Sequence, residues 1–144
     1  MDKVEMRKRL LSESGIGVMI KDERGRHYLF YQDYINDDAR SRAIRHLKND
    51  NTEIKFYSVK WARKSQFKEY MQLYSNMVKL ANIAEKEYKA QPDSGRAAYR
   101  FNYTYDRQFN FLKFLCNTLV KWTGCSFDHA KRQIICEQVD YECF

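Results

Sequence analysis

Residues 99–114 read YRFNYTYDRQFNFLKF, seven aromatic side chains in sixteen positions, and the fold turns on whether this stretch is strand or helix. Taken two by two, Tyr99, Phe101, Tyr103 and Tyr105 alternate with Arg100, Asn102, Thr104 and Asp106, the pattern of a strand with one aromatic face. At helical spacing, Phe101, Tyr105, Phe109, Leu112, Cys116 and Leu119 form one stripe instead. The stretch belongs to a run from Arg96 to Thr123 that contains neither Gly nor Pro and stops at Gly124. Strands usually hold about 3–10 residues, and the alternation fails at Arg107, so the helix is preferred even though aromatic residues favour strands.

Upstream, residues 65–91 also lack Gly and Pro. Phe67, Tyr70, Tyr74, Met77, Ala81, Ala84 and Tyr88 recur at alternating intervals of three and four, so all fall on one seam of a long helix. Ala81 and Ala84 leave room for a second helix to come close. Between the two runs stands QPDSG, residues 91–95, where Pro92 cannot continue a helix and Gly95 is expected to ease the turn. An antiparallel hairpin follows, with Phe67, Tyr74, Met77 and Ala81 facing Phe101, Tyr105, Phe109 and Leu112. Beyond Gly124, Ser126 and Asp128 can cap a last helix through Ile134 and Ile135.

The first 62 residues read differently. Asp2 to Ser12 suits a short amphipathic helix, and VMIK and HYLFYQDY flank DERGR, whose Gly25 can supply the positive φ of a tight reversal. INDDARSRAIRHLKNDN, from Ile35, suits a helix of about three turns capped by Asn36, Asp37 or Asp38. EIKFYSVKW reads as a third strand, with Ile54 and Phe56 inward and Lys55, Tyr57 and Val59 outward. The expected fold class is α+β and helix-dominated. A small three-stranded antiparallel sheet with short helices (1–62) precedes a long antiparallel helical hairpin and a short C-terminal helix (63–144), all in a single compact domain.

No apolar run approaches the eighteen or so residues of a membrane span, and MDKVEMRKRLLSES lacks the apolar core of a signal peptide. A cytoplasmic protein with no membrane partner is expected. Cys116, Cys125, Cys136 and Cys143 contain no CxxC pair, so free thiols are expected in place of a disulfide or a zinc site, although Cys125 and His129 could share a helical turn. Neither a metal nor a cofactor is called for.

Net charge is +7, from 26 basic and 19 acidic residues. Residues 40–64 carry eight basic side chains against Asp50 and Glu53, a local charge of +6. Such a field favours polyanions or an acidic protein face, or simply a solvated surface. Arg42, Arg45, Lys60, Trp61, Arg63 and Lys64 are the candidate contacts there, offering phosphate contacts and one indole for stacking. On the second long helix, Phe101, Tyr105 and Phe109 turn to the seam. Tyr99, Tyr103 and Phe114 fall on the opposite side with Arg96, Arg100 and Arg107. Tyrosine and arginine stack on bases, fork onto phosphates and dominate protein interface hot spots. No Walker loop, GxGxxG or nucleophile motif is present.

These features imply a non-catalytic basic protein that binds nucleic acid or a nucleoprotein complex. The alternative is a protein-interaction module of the kind encoded by phages and mobile elements, an anti-CRISPR-like inhibitor that contacts a host defence nuclease directly. That alternative is an analogy of type, since no motif carries it.

Overall fold

The computed structural model describes residues 3–12, 17–21, 24, 27–30, 44–45 and 53–142. The chain divides into two compact units, Met1–Trp61 and Ala62–Phe144.

In the first unit, α1 spans Lys3–Ser12, and β1 (Gly17–Lys21), β2 (His27–Phe30) and β3 (Glu53–Tyr57) pair antiparallel in the order β2-β1-β3. Val18 stands between Phe30 on one side and Phe56 on the other. Tyr57, placed on the outer face by alternation, is buried opposite Gly17, whereas Lys55, two residues earlier on the same face, is exposed. The helix expected after Ile35 lies outside the described residues except at Ile44 and Arg45, which are helical.

The second unit is a helical bundle. A 3-10 turn, Lys64–Gln66, leads into α2 (Phe67–Ala90), followed by α3 (Gly95–Thr123) and α4 (Phe127–Glu142). Stretch 99–114 is therefore helix throughout. The seam of α2 is the one its spacing predicts: Tyr70, Tyr74, Met77, Ala81 and Ala84 are buried, and Phe67 and Tyr88 are half-buried at its ends. Two ring contacts set the antiparallel register of α2 and α3. Phe67 meets Trp122 edge-on at 5.9 Å, and Tyr88 stacks on Phe101 at 5.6 Å.

The breaks between helices follow local chemistry. Ser94 caps α3, its Oγ accepting from the Ala97 N–H at 3.2 Å. Gly95 sits in the first helical turn with open space around its Cα and ordinary φ, so the cap and Pro92 make the turn, not the glycine. Gly124 does require its lack of a Cβ: at φ 72° it is left-handed, and its N–H closes α3 on the Val120 carbonyl at 2.8 Å. Ser126 caps α4 by accepting from the His129 N–H at 3.1 Å.

On α3 the buried row differs from the aromatic stripe. It runs through Ala97, Phe101, Thr104, Gln108, Phe111, Leu115, Thr118 and Trp122, each buried or half-buried. Tyr105 and Phe109, expected in the core, are 49% and 39% exposed. Threonine hides this seam from an apolar pattern because it can satisfy its hydroxyl on its own helix. Thr104 donates to the Arg100 carbonyl at 2.9 Å and Thr118 to the Phe114 carbonyl at 2.7 Å. Leu112, Cys116 and Leu119 are nevertheless buried, since α4 folds back along the second half of α3 and widens its buried face. Phe114, expected at the surface, is 4% exposed: it meets Tyr70 edge-on at 5.6 Å and lies 5.4 Å from Phe111.

Candidate binding surface

The first half of α3 carries its rings in two columns, one on each flank, the second of them starting from half-buried Phe101. Residues four apart on a helix lie almost directly above one another, about 6 Å apart along the axis, and both columns follow that repeat. On one flank Tyr99, 71% exposed, stacks on Tyr103, 46% exposed, with centroids 6.3 Å apart and planes 14° from parallel. The guanidinium carbon of Arg107 caps the column, 5.9 Å from the centre of the Tyr103 ring. On the other flank Phe101, Tyr105 and Phe109 follow at 6.0 and 6.4 Å, with Lys113 Nζ 5.1 Å from the Phe109 ring. Exposed Asn102 and Asp106 occupy the crest between them.

Two arginines on the Tyr99 flank lack an ion pair among the described residues. Arg96 is exposed and has no ion pair among the described residues. Arg107 is half-buried, and its Nε is shielded from solvent without a hydrogen-bond partner. Arg100 is committed to the hairpin: its Nη1 donates to Glu87 Oε2 at 3.0 Å, joining the two helices. Arg96 and Arg100 also border an open cleft of about 450 Å³ at the hairpin turn, beside Glu87 and Ser94.

The predicted contact residues are thus only partly brought together. Arg96, Tyr99, Arg100, Tyr103 and Arg107 share one flank of α3. Arg63 and Lys64 are exposed but precede α2, a helix of 24 residues and about 36 Å. The register of the hairpin puts them at the end opposite Arg96. The Arg63 backbone is held there by the Tyr70 hydroxyl, which accepts weakly from the Arg63 N–H at 3.4 Å and donates to Gln66 Oε1 at 2.8 Å. In the first unit Arg45 and Lys60 are exposed, and Trp61 is half-buried with its ring edge-on to Phe56 at 5.0 Å. Arg42 lies outside the described residues.

Apolar periodicity places Tyr105 and Phe109 in the core with Phe101 and so conceals their exposure, although the four-residue repeat through Lys113 is plain in the sequence. Among the described residues no group of three or more histidine, cysteine or acidic side chains is arranged to hold a metal ion. No described helix is long and apolar enough to cross a membrane. Cys116 is fully buried, and burial pushes its thiol up from an ordinary value of 9.0 to about 11. No protein-family model, curated protein or solved structure matches the chain.

Proposed function

We propose that this is a non-catalytic binding protein that docks on nucleic acid or on a nucleoprotein complex, with the flank of Arg96, Tyr99, Tyr103 and Arg107 as its principal contact. The observation that carries this reading is the pair of solvent-facing, mutually stacked tyrosines with an arginine over the second ring. Aromatic faces give sequence-tolerant stacking, and unpaired guanidinium groups give phosphate contacts. The basic excess of the whole chain attracts a polyanion from a distance, and Arg45, Lys60, Arg63 and Lys64 would add to that field. Titration of a fluorescein-labelled oligonucleotide, followed by anisotropy between 50 and 200 mM salt, tests the reading. Binding that weakens with salt supports it, and no binding of any nucleic acid at 50 mM salt refutes it.

The opposite flank favours a second reading. Tyr105 and Phe109 expose apolar rings beside Asp106, a combination suited to a protein partner because a carboxylate repels phosphate and exposed aromatics serve as interface anchors. In its concrete form the protein is a phage or mobile-element module that inhibits a host nuclease, in the anti-CRISPR manner, by direct contact. A purified nuclease captured after nucleic acid has been digested away, and released by Tyr105→Ala with Phe109→Ala, would favour it.

A further inference from the structure

We infer that the nucleic acid taken by the Tyr99 flank is single-stranded, its bases laid on the tyrosine column and its phosphates on Arg96 and Arg107. This rests on the nucleic-acid reading above and narrows it. The argument is one of spacing. The tyrosine rungs repeat at 6.3 Å, set by one turn of the helix, whereas each strand of B-form DNA advances about 3.4 Å per nucleotide. Tyr103 has Tyr99 on one side and Arg107 on the other, so a base reaches its face by entering the gap between the two rings, and bases on successive rungs are drawn to nearly twice their stacked separation. A paired duplex keeps its base faces closed inside the stack, and opening it costs stacking and pairing together. An unpaired strand can spread its bases over side chains that offer a ring to any of the four.

The charge arrangement agrees. Arg96 and Arg107 are eleven residues apart, about 16 Å along the helix, and bracket the two rings on the same flank. Neither has an ion pair among the described residues, while Arg100 between them is neutralised by Glu87. The flank therefore presents a short strand with two phosphate sites around an aromatic platform. A duplex, by contrast, is gripped mainly by dense phosphate contacts. Asp106 on the adjacent crest works against the broad, charge-rich contact that a duplex would need.

Two phosphate contacts to a single strand give a logarithmic salt slope of about −1.4, so affinity should fall only about sevenfold from 50 to 200 mM salt. Anisotropy titrations of the full chain with a labelled mixed-sequence oligonucleotide, alone and annealed to its complement, test the inference. The single strand should bind at least tenfold more tightly than the duplex. Tyr103→Ala should weaken it about 5- to 150-fold with the salt slope unchanged, while Tyr103→Phe should keep the affinity because it keeps the ring. Arg107→Ala should flatten the slope by about 0.7. Circular dichroism of each variant establishes that the bundle is intact. Equal or tighter binding of the duplex overturns the inference and leaves the broader reading standing, whereas full affinity in Tyr103→Ala overturns the inference and also removes the Tyr99 flank from the broader reading. Absence of binding to either form overturns both, and is the outcome expected if the flank serves a protein partner.

Discussion

Replacing Phe114 and Tyr105 separately by alanine tests the assignment of faces on α3, because aromatic periodicity and the structure rank the two residues in opposite order. Phe114 is 4% exposed and packed between Tyr70 and Phe111. Its truncation leaves a ring-sized void beside Tyr70 and Phe111, and phenylalanine-to-alanine changes in such cores cost about 3–5 kcal/mol. Tyr105 has half its surface in water and meets the Phe101 ring tilted and the Phe109 ring stacked. Removing it opens no cavity and forfeits two ring contacts, for a loss of about 1 kcal/mol. With a urea dependence of about 2 kcal/mol per molar, the unfolding midpoint should fall by about 2 M for Phe114→Ala and about 0.5 M for Tyr105→Ala. Urea titration of the full chain followed by far-UV circular dichroism reads both. Equal losses, or a larger loss at Tyr105, would place the seam through Tyr105 and Phe109 and dismantle the exposed columns.

The two glycines at the ends of α3 should respond oppositely in the same assay. Gly95→Ala, in open space at ordinary φ, should stabilise by about 0.4–1 kcal/mol, and Gly124→Ala, at φ 72°, should destabilise by about 1 kcal/mol. Ala81→Leu inserts a branched side chain into the seam of α2 and should cost about 1–3 kcal/mol, read as a lower melting temperature. Cys116 is buried and its thiol raised to about 11, so it stays protonated and shielded below that pH. Mass spectrometry after alkylation at pH 8 should find exposed Cys136 modified and Cys116 unmodified until the chain is unfolded.

The helices were legible because their signals are local and redundant. The three-four spacing from Phe67 to Tyr88, Pro92 between the long runs and Gly124 after the second all act within a turn or two. The two faces of α3 were not legible from its aromatics alone. Its seam passes through Thr104, Gln108 and Thr118, polar residues that apolar periodicity skips, and its buried width changes midway because α4 returns only along the second half. Tyr99 and Tyr103 keep the outward position that the helical angle assigns them. Phe114 shares their sector but lies lower on the helix, where it is buried against Tyr70 of α2. Nor do all the candidate contacts share a patch, since Lys64, just before α2, and Arg96, at the start of α3, stand at opposite ends of the hairpin.

Ultraviolet cross-linking of the full chain to a single-stranded oligonucleotide, followed by mass spectrometry of the cross-linked peptides, tests most directly whether the Tyr99 flank is the contact surface. The adducts should fall on the peptide carrying Tyr99 and Tyr103, and should be lost when both are alanine while the helical signal is kept. Adducts confined to the segment from Arg45 to Lys64, or a pattern indifferent to the two tyrosines, would contradict the account and move the site to the basic block.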